Sequence, residues 1–246
     1  MAKKHIADAK YERVSSKGKE TYGRISLFRH IFNSDMAESE LSIDRLAKEA
    51  QVMLGAGTAS TARTLDFILY YILANHQIRS TLREELRDTM AGYPEKKPSW
   101  ADLEKLPYLQ GIIKEGLRLP RVSPDAPLQY KQWTIPAGVP VGMSAYMMHS
   151  DPLVYDKPFE FIPERWLGGG NSLMKRNFVP FSRGSRNCLG MNLAYAELNF
   201  VLSVLFRPEG PAIDLFETDE SDVVQAHDFL IPLPKLDTKG VRVIVH

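Results

Sequence analysis

The sequence is poor in cysteine and in net charge. Cys188 is the single cysteine among 246 residues, so an internal disulfide is impossible and a secreted disulfide framework is excluded. The 31 basic and 30 acidic residues leave a formal charge of +1, which is too small for a global field that would hold nucleic acid or an anionic membrane. What remains for Cys188 is a free thiol, a metal ligand or a nucleophile.

Targeting signals and long apolar runs are also missing. The polar N-terminal residues are not followed by an apolar stretch, so we expect no signal peptide. The longest unbroken apolar run covers residues 67–74, far short of the ~20 residues that a membrane-spanning helix needs. We therefore do not expect an integral membrane protein.

The composition is that of a globular protein, with 44% hydrophobic and 25% charged residues. Apolar residues recur at helical spacing in the N-terminal half and before residue 206, whereas short alternating stretches punctuated by proline and glycine predict strands. The expected class is mainly α with small β-sheets, in a single partial domain over residues 1–246. The predicted elements are a long helix over about 42–75, a helix over 107–119, a β segment over 122–148, an element-poor meander and cysteine loop over 150–190, a final helix over 190–206 and a C-terminal hairpin.

A cysteine, two arginines and two glycines stand directly before the final predicted helix, in the run from Phe181 to Gly190. Gly184 and Gly190 allow the backbone to turn tightly and to approach a flat partner closely. At a helix N-terminus, free N–H groups and the positive end of the helix dipole favour the thiolate form of Cys188. Arg186 adds a positive charge that could pair with a carboxylate. Together these features fit a bound metal macrocycle with acidic side groups.

The alternative for a lone cysteine is a buried structural thiol. Here the surrounding residues resemble, at every fixed position, the haem-ligand signature Phe-x-x-Gly-x-Arg-x-Cys-x-Gly of the cytochrome P-450 family. The matching residues are Phe181, Gly184, Arg186, Cys188 and Gly190. The resemblance implies that Cys188 is the axial ligand of a haem iron and that Arg186 contacts a haem propionate. It also implies that the N–H groups of Leu189 and Gly190 temper the charge on the sulfur.

Glu115 and Arg118 stand three positions apart, so a helix places both charges on one face. By themselves they indicate an ordinary surface ion pair, worth ~0–1 kcal/mol. They also resemble the family's Glu-x-x-Arg pair, and residues 163–166 resemble its Pro-Glu-Arg-Phe element with Trp in place of Phe. The resemblance implies that Arg165 joins the pair in a buried network that locks the meander behind the haem. Folding should then need all three charges.

Small and hydroxyl residues from Ala56 to Thr61 occupy the middle of the long predicted helix, where they are poor helix formers. One interpretation is a packing seam of small side chains. The other is a resemblance to the family's distal helix, with its Ala/Gly-Gly-x-Asp/Glu-Thr-Thr/Ser pattern. It implies that Ala56 and Gly57 line a groove where the helix opens for dioxygen, and that Ser60 and Thr61 support proton delivery. Ala59 replaces the usual acid and cannot relay protons.

The resemblance spans about residues 40–246 and is closest to the C-terminal half of a microsomal, fungal-type cytochrome P-450. It implies a truncated form of that fold, with iron protoporphyrin as cofactor. Family members take two electrons from an NADPH-dependent reductase and insert one oxygen atom of dioxygen into a lipophilic small molecule. We therefore expect a haem-dependent monooxygenase of secondary metabolism, with these partners and no nucleic acid.

Two departures from the family pattern leave alternatives open. The family chain is about twice as long, so its N-terminal anchor and most of its substrate-recognition helices are not in this sequence. Pro120 and Arg121 also follow Arg118 where the family has a longer connection. The alternatives are a non-catalytic remnant with weak or no haem binding and a redox-neutral haem-thiolate enzyme. The family implies the endoplasmic reticulum membrane, but we expect this chain to be cytoplasmic and membrane association to come only through the missing N-terminal part.

Overall fold

The structure is a computed structural model that describes residues 2–15, 27–118, 128–130, 132–135, 145–169, 171–185, 187–229 and 231–246. The fold is mainly helical with small antiparallel sheets, which confirms the expected class. The chain forms two compact units, residues 1–59 and 60–246. Among the described residues, no helix combines the length and the apolar character needed to cross a bilayer.

The elements of the described residues are as follows. The α-helices are α1 (Ala2–Ser15), α2 (Leu27–Phe32), α3 (Ile43–Ala74), α4 (His76–Met90), α5 (Trp100–Leu103), α6 (Pro107–Leu117), α7 (Ala145–His149), α8 (Ser172–Asn177) and α9 (Met191–Phe206). Two 3₁₀-helices cover Pro163–Gly169 and Glu220–Asp222. The strands are β1 (Leu128–Tyr130), β2 (Trp133–Ile135), β3 (Ile213–Leu215), β4 (His227–Phe229), β5 (Ile231–Leu233) and β6 (Val243–Val245).

The first unit contains α1, α2 and the start of α3 around a small apolar core. Ile6, Phe32 and Leu41 are fully buried in it. An ion pair between Lys3 Nζ and Asp44 Oδ1, 2.7 Å apart, joins α1 to the first turn of α3. Both side chains of this pair are largely exposed and therefore screened by water, so the pair adds little and apolar burial stabilises the unit.

The core of the second unit is built by helices whose apolar residues recur every three or four positions. In α4 the buried residues Ile78, Leu82 and Leu86 follow this spacing and contact α6 and α9. The side chain of Asn75 begins α4 by accepting hydrogen bonds from the N–H groups of Gln77 and Ile78, at 3.0 and 3.3 Å. These bonds satisfy two of the N–H groups that a helix start leaves free.

Helix α6 is fixed at its start by a carboxylate and along its length by close packing. Glu85 of α4 accepts hydrogen bonds from the N–H groups of Tyr108 and Leu109, each at 2.8 Å. Gly111 lets the backbone of Pro163 approach closely, and Gly116 makes room for the side chain of Ile68 in α3. As a result α6 is almost entirely buried, and its Glu115 carboxylate is held in the interior of the unit.

Three two-stranded antiparallel sheets complete the described residues, formed by β1–β2, β3–β6 and β4–β5. Ile213 lies opposite Val245, so the alternating valines at the C-terminus pair with a distant strand and do not form a local hairpin. The hairpin lies earlier, where His227 is opposite Leu233. Alternation specifies that a strand forms but leaves its pairing partner to tertiary packing.

Two other segments differ from the sequence-based expectations. Residues 145–149 form α7, although the β segment was expected to reach residue 148. The meander contains the 3₁₀-helix Pro163–Gly169 and α8, which begins at a side-chain hydrogen bond from Met174 N–H to Asn171. Such short elements are too brief to show a periodic apolar pattern. The parts of the expected β segment at residues 122–127, 131 and 136–144 lie outside the described residues.

We expect Gly111→Ala to destabilise the second unit. The new Cβ would lie 2.7 Å from the carbonyl oxygen of Pro163, so α6 and the 3₁₀-helix would have to separate at a cost of about 1–3 kcal/mol. This exceeds the gain of up to ~1 kcal/mol from better helix propensity. Urea denaturation measures the difference. Gly55→Ala in α3 is the control, because nothing lies within 4 Å of its added Cβ; equal stability of both variants would contradict the close approach.

Candidate functional site

The centre of the second unit is the buried carboxylate of Glu115, on α6. Its side chain is fully buried, and the described residues supply it with five hydrogen-bond donors. Oε1 accepts from Arg118 Nη2 at 3.1 Å, from Ile162 N–H at 3.2 Å and from Arg165 Nε at 3.1 Å. Oε2 accepts from Arg118 Nε at 3.2 Å and from Trp166 Nε1 at 2.8 Å. The carboxylate therefore joins α6 to the meander with its acceptor positions filled.

The two arginines carry this network outward to backbone carbonyls. Arg165 donates to the carbonyl oxygens of Asp156 and Lys157, at 2.6 and 3.2 Å. Arg118 is 1% exposed, donates to the carbonyl of His149 and lies with its guanidinium 5.2 Å from the centre of the Tyr155 ring. The structure thus brings together the three charged residues expected from the sequence, in the buried interior where unpaired charge is costly.

Trp166 takes a part in this network that the sequence did not reveal. Its indole N–H donates to Glu115, and its ring lies 4.8 Å from the ring of Phe178. A Phe at this position, as in the family's element, has no such donor. The occurrence of Trp where Phe is usual was the available signal, because a buried indole N–H needs an acceptor nearby.

His149 is a second residue that sequence reasoning missed. It ends α7 and is fully buried, with its ring 5.8 Å from that of Phe178. The N–H of Val179 donates to His149 Nε2 at 3.0 Å. Burial lowers the pKa of His149 from 6.5 to about 4, the neighbouring Arg118 charge adds to this, and the Asn177 carbonyl opposes it. The imidazole is therefore neutral at physiological pH.

The cysteine loop leads from these contacts to α9. The ring of Phe181 lies 5.2 Å from that of Tyr195 on α9, and the N–H of Cys188 donates to the Phe181 carbonyl at 2.9 Å. Gly184 has φ +89°, with nothing within 4 Å of an added Cβ. Gly190 is the residue that immediately precedes α9. The loop is thus closed by a backbone hydrogen bond across its base and turns at a left-handed glycine.

The thiol of Cys188 is exposed, as is Leu189, which is 87% exposed. A packed structural cysteine would be enclosed by hydrocarbon, so the alternative of a buried structural thiol is wrong for this chain. A soft sulfur donor beside open space at the start of a helix suits a haem iron, and the residues described here fit that group. Arg186, the expected propionate partner, lies outside the described residues.

The four expected distal residues, Ala56, Gly57, Ser60 and Thr61, all lie on α3, which is unbroken helix through them. The Ser60 carbonyl accepts a hydrogen bond from Thr64 Oγ1 at 3.0 Å, and nothing lies within 4 Å of a Cβ added at Gly57. A groove that opens for dioxygen, and a role of the two hydroxyl groups in proton delivery, stay predictions.

A largely apolar cavity of about 510 Å³ lies in the second unit. Arg63 of α3 holds its walls together by donating to the carbonyls of Val223 and Pro232, the second at 3.1 Å. Tyr71 stacks on Phe161 with ring centres 4.9 Å apart. The cavity is lined by Arg63, Thr64, Phe67, Tyr71, Gly116, Tyr146, Phe159, Glu220, Ser221, Val223, Val224, Gln225 and Pro232. Its size and apolar walls are those of a small-molecule site.

Comparison with known proteins agrees with this geometry. The family model described as cytochrome P-450 matches residues 2–208. The chain belongs to the cytochrome P-450 family. The cytochrome P-450 monooxygenase oblB of Aspergillus clavatus is 55% identical to this chain over an alignment that covers 99% of the chain. The fusicoccadiene C-8 hydroxylase of Phomopsis amygdali is 52% identical over the whole chain, and the stellatic acid synthase of Emericella variicolor is 47% identical over 98% of it.

The cytochrome P-450 relatives are longer than this chain. The chain covers 49% of the Aspergillus clavatus protein, 49% of the hydroxylase and 52% of the synthase. It therefore spans about half the length of the relatives that it matches. Haem is the cofactor of this family in general.

We expect Glu115→Ala to destabilise the chain by about 3–5 kcal/mol, because it leaves Arg118 and Arg165 buried without their shared counter-charge. Glu84→Ala is the matched control: Glu84 also pairs with an arginine three positions away on a helix, but its side chain is 62% exposed, so its loss should cost under about 1 kcal/mol. Urea denaturation compares the two variants. Similar costs for both would show that the buried network does not hold the meander.

We expect the stability of the chain to fall as pH falls from about 6.5 towards 4. The pKa of His149 is about 4 in the folded chain and 6.5 as an ordinary imidazole, so between these values the unfolded state binds a proton that the folded state does not. The loss attributable to His149 is about 2 kcal/mol at pH 4.5. Urea denaturation at pH 7.5 and 4.5 measures it, and His149→Gln should remove this share. An unchanged pH dependence in the variant would contradict a neutral His149.

Proposed function

We propose that this chain carries the haem-binding half of a cytochrome P-450 monooxygenase that hydroxylates a lipophilic hydrocarbon. The observation that carries the proposal is the exposed Cys188 thiol, held directly before α9 within a complete haem-ligand signature. The relatives include proteins named as fusicoccadiene C-8 hydroxylases from two fungi, 52% identical to this chain. A fusicoccadiene-like hydrocarbon is accordingly the proposed substrate class.

In this proposal Cys188 supplies the thiolate that holds the haem iron, and Arg186 pairs with a propionate. The N–H groups of Leu189 and Gly190 would temper the charge on that sulfur. The haem supplies activation of dioxygen, with electrons from an NADPH-dependent reductase. The hydroxyl groups of Ser60 and Thr61 would hold water and pass on a proton. Ala59 has no acid to do so, and proton delivery would therefore depend on hydroxyl groups and water alone.

The cavity beside α3 is proposed to bind the substrate. Phe67, Tyr71 and Phe159 give it aromatic walls, and removal of a hydrocarbon from water onto such walls provides affinity without hydrogen bonds. Arg63 is engaged by two backbone carbonyls, so its charge is directed to the cavity wall. Such a site selects by shape and apolar area, as a hydrocarbon substrate requires.

We expect the 246-residue chain, mixed with hemin, reduced and exposed to carbon monoxide, to show the strongly red-shifted Soret band of a thiolate-ligated haem. Cys188→Ser should abolish this band, because a hydroxyl group does not replace the soft sulfur donor. The double variant Ser185→Cys/Cys188→Ser moves the chain's only thiol to another exposed position of the same loop, and it should also lack the band. A folded, soluble wild-type chain without the band would favour the non-catalytic alternative.

A further inference from the structure

At the start of the cysteine loop, a backbone N–H group donates its hydrogen bond to a side chain and not to a backbone carbonyl. The N–H of Val179, two residues beyond α8, donates to the imidazole Nε2 of His149 at 3.0 Å. The carbonyl of Val179 in turn accepts the N–H of Ser182 at 3.1 Å, and Ser182 has φ 62°. The turn that opens the loop therefore begins at the amide that His149 holds.

The position of His149 is itself determined by the buried charge network. Its backbone carbonyl accepts a hydrogen bond from Arg118, which is bound to Glu115 through two further donors. Its ring is enclosed between Phe178, 5.8 Å away at an interplanar angle of 30°, and the edge of Tyr155, 6.2 Å away at 82°. One residue thus touches the network with its main chain and the cysteine loop with its side chain.

The hydrogen bond from the Val179 N–H determines the protonation state of the His149 ring. Nε2 accepts the Val179 N–H, so its lone pair must be free and the proton of the neutral ring is carried by Nδ1. Among the described residues, the charged and titratable groups around the ring are Arg118 and Tyr155, with Glu115 beyond Arg118. The near positive charge of Arg118 opposes protonation of the imidazole, which keeps the acceptor available.

We propose that His149 is a positioning residue for the cysteine loop: its neutral Nε2 holds the Val179 amide and thereby transmits the geometry of the Glu115–Arg118 network to the loop that presents Cys188. The path runs from Arg118 to His149, to the Val179–Ser182 turn, and across the base of the loop to Cys188, whose N–H donates to the Phe181 carbonyl at 2.9 Å. The effect on haem ligation rests on the proposed function, whereas the effect on the loop does not.

Two substitutions of His149 by side chains of similar size test whether this residue positions the loop or only fills space in the core. His149→Gln keeps a side-chain oxygen that can accept the Val179 N–H, whereas His149→Met is unbranched like Gln and has only a weak acceptor. In the Met variant, hydrogen exchange at Val179 should be at least about fivefold faster, relative to amides in α4, because a partly buried donor loses its partner. The rate at which iodoacetamide alkylates Cys188, the only thiol, should change as well.

Rescue is the deciding comparison. The Gln variant should restore the exchange rate of Val179 and the alkylation rate of Cys188 towards those of the wild type. If Gln and Met alter both rates equally, or if Val179 exchange simply follows global unfolding, His149 only fills space and the proposal is overturned. These measurements need no haem, so they remain decisive even if the carbon monoxide experiment fails.

A measurement on the wild-type chain tests the proposal even if the variants do not fold. The nitrogen chemical shifts of His149 distinguish a ring protonated at Nδ1 from one protonated at Nε2. We expect the Nδ1-protonated neutral ring at pH 7, with a through-bond coupling from the Val179 amide to Nε2. A ring protonated at Nε2 could not accept that amide and would overturn the proposal without any substitution.

Discussion

The described part of the second unit is organised around one buried carboxylate. A fully desolvated Glu115 is tolerable only because donors from α6 and from the meander fill its acceptor positions. Formation of the network is cooperative, because burial of the charged groups is favourable only when all of the donors to Glu115 are in place. The segment around Arg165 and Trp166 contains only short helical elements, and its attachment to the carboxylate supplies the order that a long helix or strand would otherwise provide.

The buried network and the exposed thiol serve opposite purposes. The network is closed, with its charges paired and its rings packed, whereas Cys188 is presented to open space. A ligand for a large planar cofactor has to remain accessible, yet it has to be held in place. Here the loop is closed by its own backbone hydrogen bond from Cys188 N–H to the Phe181 carbonyl. It is also held from outside, by the His149 ring at Val179 on one side and by the contact of Phe181 with Tyr195 of α9 on the other.

The chain spans about half the length of its cytochrome P-450 relatives, and large apolar side chains are exposed beside Cys188. Leu189 and Leu193, on either side of the start of α9, are 87% and 60% exposed. Exposed large apolar side chains at a proposed haem site are the surface that a cofactor would cover. The cavity next to α3, by contrast, has aromatic walls supplied by the described residues themselves.

Features that depend on local signals could be predicted from the amino-acid sequence. Helical spacing indicated the long helices. The run from Phe181 to Gly190 indicated the family and predicts that Cys188 is the haem ligand. The membership of Glu115, Arg118 and Arg165 in one network came from resemblance, since their spacing alone indicates a surface pair. Which groups from distant segments bind these three residues depends on how the chain packs, and local spacing does not encode it.

His149 and Trp166 show why the tertiary structure was needed. Nothing within four residues of either one reveals its partner, because the Val179 amide and the Glu115 carboxylate reach them from other segments. The tautomer of the imidazole and the need for an indole N–H follow from those non-local contacts. The same holds for β6, whose alternating valines predict a strand, whereas its partner β3 is chosen by packing.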